Sequence, residues 1–186
     1  MKLCPVCKTT TLQPSFLDSD LPVNTCENCG GAWVRANEYS IWLKSQTPGK
    51  YNLAQAKPDP ARPVSDLDHA ALCPDCGYFL RKYKASSMYK FELERCNHCN
   101  GVWLDKNEWH SLKQADLHDE LHQVFTAPWQ KRVQDDILAQ KFDDLYRQRF
   151  GDADYEKIKE IRAWLQENPN RNTLLAFLMD QNPYTA

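Results

Sequence analysis

One fourteen-residue segment occurs twice in this chain, and each copy opens with a pair of cysteines. The copies read CENCGGAWVRANEY at residues 26–39 and CNHCNGVWLDKNEW at residues 96–109. Another CxxC pair lies about twenty residues before each copy. The eight cysteines therefore form four pairs, with none left over: Cys4 and Cys7, Cys26 and Cys29, Cys73 and Cys76, Cys96 and Cys99. This pattern predicts two copies of one small module.

The cysteine pattern is typical of metal binding. The first residues, MKLCPVCK, lack the apolar segment of a secretory signal, so disulfide cross-linking is not expected. Two CxxC pairs at this spacing are instead the sequence form of a zinc ribbon with four cysteine ligands. We therefore predict two structural zinc ions, one held by the first four cysteines and one by the last four. A module this small buries little apolar surface, and zinc supplies about 10 kcal/mol or more of its folding free energy.

The residues between the two CxxC pairs of each module are expected to form a β-hairpin of short strands, because the two pairs must meet at one metal site. Segments 10–16 and 22–26 form the first predicted hairpin, and segments 78–84 and 88–96 form the second. Hydrophobic and charged residues alternate in the last segment, as in a half-buried strand. The predicted fold class is a small metal-stabilised α+β fold. It has two zinc ribbons, each a short β-hairpin plus a helix, followed by an α-helical C-terminal domain.

Two glycine positions follow the second CxxC pair of each module. Gly31 and Gly101 lie where the chain is expected to reverse, which predicts a positive φ at both. One residue earlier, Gly30 of the first copy is replaced by Asn100 in the second. Asparagine is the residue that best tolerates a left-handed conformation after glycine, so the exchange is compatible with one backbone shape.

Two further features of the repeat concern its core and its helix. Trp33 and Trp103 recur at the same position, and each is expected to fill the core of its own module. Asp105 and Glu108 resemble a capping box at the start of a helix. Arg35 replaces the aspartate in the first copy, so the first helix is expected to start less firmly.

These motifs resemble the transcription factor IIB-type zinc-ribbon family of small bacterial and archaeal proteins. In that family CPxC is followed by CxxCgGxWLDxxE. CPDC with CNHCNGVWLDKNE matches the pattern closely, and CPVC with CENCGGAWVRANE matches it less well. Asn37 and Asn107 stand where the family usually has glycine. The resemblance covers residues 1–48 and 70–112 and implies the zinc fold. By analogy it also implies a role in transcription or translation.

The predicted domains follow from changes in pattern along the chain. Ribbon 1 covers residues 1–48, a proline-containing linker 49–66, ribbon 2 residues 67–113, and a domain of three to four helices residues 114–186. The linker allows two readings, in which the ribbons move independently or the linker packs back on one of them. The helical domain also allows two: it buries its own apolar stripes, or one stripe stays open for a partner protein or a second copy.

The second hairpin, residues 78–90, mixes basic and aromatic residues. The candidate nucleic-acid contacts are Arg81, Lys82, Tyr83, Lys84 and Lys90. The alternative is a solvated basic face over an aromatic core. Net charge opposes nucleic-acid binding, because the chain carries −2 at pH 7 and two zinc sites with four thiolates each bring it to about −6.

The histidines are not expected to bind metal. His98 lies inside a CxxC turn whose zinc already has four sulfur ligands, so a solvent-facing or supporting position is expected. His118 and His122 are spaced one helical turn apart, but a third ligand is missing, so a surface pair is the expectation.

The sequence therefore predicts a non-enzymatic, zinc-binding adaptor that presents surfaces to a protein partner. No nucleophile with its base and no open metal site is recognisable, so an enzyme is not expected. Direct nucleic-acid binding through residues 78–90 is the alternative, and a thiol redox sensor is a further one. No segment has the apolar length of a membrane span, and a cytoplasmic location is expected. The oligomeric state is left open.

Overall fold

The computed structural model describes residues 2–18, 20–46, 69–89 and 91–184. The predicted linker, residues 49–66, and Lys90 lie outside the described residues. The described strands are β1 (Gln13–Leu17), β2 (Leu21–Thr25), β3 (Ala32–Val34), β4 (Leu80–Lys84), β5 (Glu92–Cys96) and β6 (Val102–Leu104). The described helices are α1 (Ala36–Ser45), α2 (Glu108–Gln114), α3 (Leu121–Val124), α4 (Ala127–Phe150), α5 (Asp152–Glu167) and α6 (Arg171–Met179). The predicted α+β fold class is confirmed.

The two ribbons share one antiparallel sheet. Its six described strands follow the order β1-β2-β3-β6-β5-β4, so ribbon 1 supplies one half and ribbon 2 the other. The halves meet where β3 pairs with β6, which places Trp33 directly opposite Trp103. The two hairpins lie where the sequence predicts them, but these short central strands were not predicted. Because they are hydrogen-bonded to each other, the ribbons form one body and do not move independently.

The sheet has a helix face and a zinc face. Side chains alternate along each strand, so Ala32 and Val34 point to the helix face and Trp33 between them points to the zinc face. On the helix face, buried residues of α1, α2 and α3 pack against the strands. On the other face, the cysteines surround the two tryptophans. The alternation therefore separates a conventional apolar core from a core built around metal ligands.

The helices that follow the two repeats start differently from the prediction. Helix α1 begins regularly at Ala36, directly after Arg35. In ribbon 2 the equivalent residues form a turn, and α2 starts only at Glu108, after a left-handed Asn107 with φ 71°. Arg35 makes no capping hydrogen bond to α1, so the expectation that the first helix starts less firmly stays a prediction. The Glu108 carboxylate does accept the backbone N–H of Asp105 at 2.7 Å, which is one half of a capping box.

The chain divides into two compact units, residues 1–136 and 137–186. The sequence places the start of the helical domain at residue 114, but α3 and the first turns of α4 pack on the ribbons. Val124 is fully buried in the helix-face core. The Trp129 indole donates to the Ala85 carbonyl at 3.0 Å, and the Gln130 amide donates to the Lys84 carbonyl at 2.9 Å. The first unit therefore includes the sheet and everything up to the middle of α4.

Candidate metal centres

Four cysteine sulfurs converge in ribbon 1. Cys4 and Cys7 lie on the turn before β1, and Cys26 and Cys29 lie on the turn after β2. Across the two turns the Sγ atoms of Cys4 and Cys29 are 3.6 Å apart, and those of Cys7 and Cys26 are 3.8 Å apart. All four sulfurs lie within 4.8 Å of one another. The hairpin thus brings together the set that the sequence predicts.

Ribbon 2 repeats this arrangement with Cys73, Cys76, Cys96 and Cys99, again within 4.8 Å of one another. The Sγ atoms of Cys73 and Cys99 are 3.5 Å apart, and those of Cys76 and Cys96 are 3.4 Å apart. In the described part of the chain, these two groups are the only clusters of histidine, cysteine and acidic residues that meet the geometric requirement for a metal.

The spacing of the sulfurs fits zinc. A tetrahedron with Zn–S bonds of about 2.3 Å places its sulfurs about 3.8 Å apart, close to the distances in both groups. Four thiolates complete the coordination of Zn²⁺ and leave no position for a water or a substrate. The chain therefore holds two structural zinc ions, one in each ribbon.

Each pair of ligands is presented by the same backbone turn. The residue four positions after the first cysteine of each pair donates its N–H to the carbonyl of that cysteine, at 2.8–2.9 Å. Those four residues all have a left-handed φ between 61° and 74°: Lys8, Gly30, Gly77 and Asn100. The expected exchange of Gly30 for Asn100 at one backbone shape is confirmed. The positive φ expected at Gly31 and Gly101 is wrong, because the chain reverses one residue earlier.

Without a cation, it is unfavourable at neutral pH to ionise all four thiols of a site. Burial raises the pKa of Cys4 to about 11, and it also raises the pKa of Cys29. Burial acts on Cys26 and Cys96 too, but nearby backbone N–H groups outweigh it and lower the pKa of each to about 7. One thiol in each ribbon therefore ionises ahead of buried neighbours, and zinc supplies the charge that stabilises the complete set of thiolates.

The two repeated tryptophans pack across the junction between the ribbons. A Cβ atom added to Gly101 would lie 2.3 Å from the ring of Trp33, and one added to Gly31 would lie 2.2 Å from the ring of Trp103. Each indole therefore rests on a glycine of the other ribbon. The expectation that each tryptophan fills the core of its own module is wrong. The glycines recur because no side chain fits beneath the rings.

The two indole N–H groups find different acceptors. Trp103 donates to Asp105 of its own ribbon at 2.7 Å, whereas Trp33 donates to Asp75 of ribbon 2 at 3.0 Å. Arg35, which replaces the aspartate in ribbon 1, also donates to Asp75, at 3.2 Å. Sequence reasoning missed Asp75. The available signal was its charge between two zinc ligands, at a position where ribbon 1 has Val6.

Two basic side chains of the second hairpin lie close to acidic ones. The Lys82 Nζ atom lies 3.6 Å from a carboxylate oxygen of Glu94 and 3.9 Å from one of Glu92. The Lys84 Nζ atom lies 3.4 Å from a carboxylate oxygen of Glu92. Arg81 is next to the ring of Tyr83, at 6.0 Å from its centroid.

Tyr83 itself packs on the helix-face core, and its hydroxyl donates to the Asn97 side chain at 2.9 Å. Because side chains alternate along β4, Arg81 and Tyr83 lie on the opposite face of the sheet from Lys82 and Lys84. The strand therefore divides the predicted contacts between two faces, and acidic residues lie beside the two lysines.

The histidines occupy aromatic environments. His98 is exposed and stacks on Tyr78, with ring centroids 4.3 Å apart. His118 is half-buried beside Trp42 and Trp109, at 6.1 and 5.9 Å, so it is not a surface residue as predicted. His122 is exposed. Within the residues that the structure describes, none of them joins a metal-ligand cluster.

A comparison with protein families identifies both ribbons. The family model described as transcription factor zinc-finger, a TFIIB-type zinc ribbon, matches residues 3–45 and 72–115. No curated protein and no solved structure gives a significant match. Among the helices of the described residues, none combines the length and the hydrophobicity of a membrane-spanning segment.

Proposed function

We propose, from the membership of both ribbons in the TFIIB-type zinc-ribbon family, that this chain is a non-enzymatic adaptor that presents a surface to a protein partner in transcription or translation. In this proposal the two zinc ions maintain the shape of the binding surface and take no part in a reaction. The closed four-sulfur coordination of both sites supports that role, because zinc enzymes keep one position open.

The observation that carries the proposal is an apolar cleft on the zinc face, of about 630 Å³, that both ribbons line. Leu3 of ribbon 1 and Leu72 of ribbon 2 precede the first zinc ligand of each ribbon and are 51% and 50% exposed. Phe79, which pairs with Leu72 at the base of the same turn, is 70% exposed. Exposed apolar side chains gathered in one place are typical of protein-binding surfaces.

The composition of the cleft defines the kind of partner. Proline, leucine, alanine and phenylalanine line most of it, and apart from the buried zinc ligands Cys4 and Cys73, Lys8 is its one charged lining residue among those described. Such a lining favours a protein segment with apolar side chains over the phosphates of a nucleic acid, which are bound mainly by cations. The ion pairs of Lys82 and Lys84 with Glu92 also favour a protein, because they reduce the positive charge of the second hairpin.

We also place the protein in the cytoplasm. None of the eight cysteines forms a disulfide, and all of them belong to the two zinc sites. Thiolate ligands persist in a reducing compartment, whereas an oxidising one favours disulfides.

The test compares two exposed phenylalanines. Phe79→Asp introduces a charge into the cleft, and Phe16→Asp introduces the same charge on β1, where Phe16 is 62% exposed and lies outside the cleft. The zinc-loaded chain and both variants are used to capture partners from native cells, with and without nuclease, and bound proteins are identified by mass spectrometry. We expect one partner that the wild type and Phe16→Asp retain after nuclease and that Phe79→Asp loses.

Two results would contradict the proposal. A partner that Phe79→Asp retains as well as the wild type does would exclude the cleft as the binding surface. Partners that disappear with nuclease would favour nucleic-acid binding through residues 78–90. Zinc content of two per chain is measured for each variant, so that loss of binding is not confused with loss of a ribbon.

A further inference from the structure

Helices α4 and α5 of the second unit contact each other through polar side chains. Asp143 of α4 accepts hydrogen bonds from the Tyr155 hydroxyl and from Arg147 Nε, both at 2.7 Å, and lies 3.4 Å from Lys159. Arg147 also reaches Asp152, at 3.2 Å, and Glu156. Tyr155 is buried by these contacts. The interface between two packed helices is apolar in most proteins. Between α4 and α5 it contains a network of ion pairs and hydrogen bonds.

The apolar side chains of the same helices remain exposed. Eight of them are between 36% and 54% exposed: Leu138, Phe142, Leu145, Tyr146 and Phe150 on α4, and Ile158, Ile161 and Trp164 on α5. We call these eight residues the α4–α5 apolar face. The rings of Phe142, Tyr146 and Phe150 stack in a row, with centroids 6.3 and 5.7 Å apart. Phe150 of α4 and Ile158 and Ile161 of α5 line one cleft, together with the charged residues Arg149, Asp154 and Lys157.

The size of this face is that of one side of a protein interface. A large apolar side chain presents about 200 Å² when fully exposed, so eight that are about half exposed present on the order of 800 Å². A standard interface buries about 800 Å² on each partner. The largest apolar patch of a typical monomer is about 300–600 Å². The α4–α5 apolar face is therefore larger than a monomer usually leaves in water.

We propose that the α4–α5 apolar face binds the same face of a second copy of this chain and forms a two-fold symmetric homodimer. Two copies would together bury about 1,600 Å², the area of a stable standard interface. A two-fold interface brings a patch against itself, which requires a patch whose character matches its own. An apolar face meets this requirement.

The charges of the second unit also match a second copy. Residues 137–186 contain seven lysines and arginines and eight aspartates and glutamates. A partner with a strong charge of one sign would gain little from such a balanced surface, whereas this unit, with a net charge of −1, adds little repulsion between two copies that meet through it. This inference does not depend on the adaptor proposal, because the cleft on the zinc face lies in the first unit. If both hold, each dimer presents two such clefts, which strengthens binding to a partner with repeated sites.

The test measures the mass of the full zinc-loaded chain between about 1 and 100 µM by sedimentation, a range that covers the affinity expected of a standard interface. Phe142→Glu introduces a charge into the apolar face. Gln148→Glu introduces the same charge at an exposed position of α4 outside that face. Trp164→Glu repeats the change on α5, so that the result does not depend on one helix. Each variant is checked for two zinc ions and for unchanged helix content by circular dichroism.

We expect the wild type and Gln148→Glu to sediment at twice the chain mass of 21.6 kDa. Phe142→Glu and Trp164→Glu should each weaken the dimer at least about 30-fold, the effect of a hot-spot residue. A wild type that stays monomeric at 100 µM would overturn the proposal. So would dimers of both glutamate variants as stable as that of the wild type. Loss of a captured protein from Phe142→Glu, with a monomeric wild type, would assign the face to a different protein.

Discussion

The two ribbons place their tryptophans in the same way, but the hydrogen-bond acceptors of the two indole N–H groups come from different places. Trp103 of ribbon 2 donates to Asp105 of its own ribbon, whereas Trp33 of ribbon 1 donates to Asp75 of ribbon 2. Ribbon 2 therefore supplies an acceptor to both rings, and ribbon 1 supplies none of its own. The difference shows that the repeat is not a pair of equal modules. Ribbon 1 depends on the zinc turn of ribbon 2 for part of its core.

The largest expected effect is loss of a zinc ligand. Cys96→Ser should release the zinc of ribbon 2, since a structural zinc contributes about 10 kcal/mol or more to folding. Because Asp75 lies on a zinc turn of ribbon 2, Trp33 should also lose its acceptor and its glycine support. We expect the remaining zinc of this variant to be released faster to a chelator than in the wild type.

Cys26→Ser is the matched change in ribbon 1. Trp103 keeps Asp105 in this variant, so the zinc that remains in ribbon 2 should be released more slowly than the zinc that remains in Cys96→Ser. Zinc content and release are both followed with a chromogenic chelator. Equal release rates for the remaining zinc in the two variants would contradict the dependence of ribbon 1 on ribbon 2.

Alanine at the glycines under the rings should have the next largest effect. Gly31→Ala and Gly101→Ala place a methyl group 2.2 and 2.3 Å from an indole that is fully buried, so the sheet junction must shift. Overpacking of this kind costs about 3 kcal/mol, or about 10 °C in Tm for a chain of this size. The two variants should be destabilised equally, because each glycine supports the tryptophan of the other ribbon.

Gly77→Ala is the control for these variants. An added Cβ at Gly77 meets nothing within 4 Å, but its φ of 73° is unfavourable for alanine. It should cost about 1 kcal/mol through backbone strain alone. Thermal unfolding of the three zinc-loaded variants measures the difference. If Gly77→Ala lowered Tm as much as Gly31→Ala, backbone conformation would explain both glycines and close packing would not.

Replacing each tryptophan by phenylalanine should lower stability to a different extent in the two ribbons. Trp103→Phe removes the donor to Asp105, which is 8% exposed, and leaves a buried carboxylate with one partner fewer. That loss costs about 1–3 kcal/mol. Trp33→Phe should cost less, because Asp75 keeps Lys2 and Arg35 and is more exposed. Thermal unfolding of the two variants should show a lower Tm for Trp103→Phe, and the opposite order would contradict the assigned acceptors.

The sequence allows the zinc sites and the hairpins to be predicted because their constraints are local. The CxxC spacing determines the ligands, and the exchange of Gly30 for Asn100 follows from one backbone conformation. The contacts of Gly31 and Gly101 are different, because they join residues about seventy positions apart. A repeat shows that a residue is required, but it does not show which copy it contacts.

The central strands and the acceptor Asp75 are missed for a related reason. Strands β3 and β6 contain three residues each, too few for an alternating pattern to be recognised. They are stable because they pair with each other, which no local signal predicts. Asp75 accepts from Trp33 and from Arg35, which stands in ribbon 1 where ribbon 2 has Asp105, and both contacts join residues about forty positions apart.

The smallest expected effect concerns the charge of Asp75. Burial acts to raise the pKa of this carboxyl, but hydrogen bonds from Lys2 and Trp33 outweigh burial and hold the pKa below its usual value. A carboxyl with a lowered pKa stabilises the folded state above its unfolded pKa of about 3.9, and this stabilisation is lost as pH falls through the folded pKa. Asp75→Asn keeps an oxygen that accepts from Trp33 and removes only the charge.

Because the ion pairs with Lys2 and Arg35 are partly exposed, the charge should contribute at most about 1 kcal/mol, or about 2–4 °C in Tm. The difference in Tm between wild type and Asp75→Asn should stay constant from pH 8 to pH 5, since Asp75 is ionised throughout. It should shrink in 0.5 M salt, which screens exposed pairs. A difference that falls between pH 8 and pH 5 would mean that the pKa of Asp75 is raised. Ribbon 1 would then depend on ribbon 2 through the hydrogen bond of Trp33 alone, without a contribution from charge.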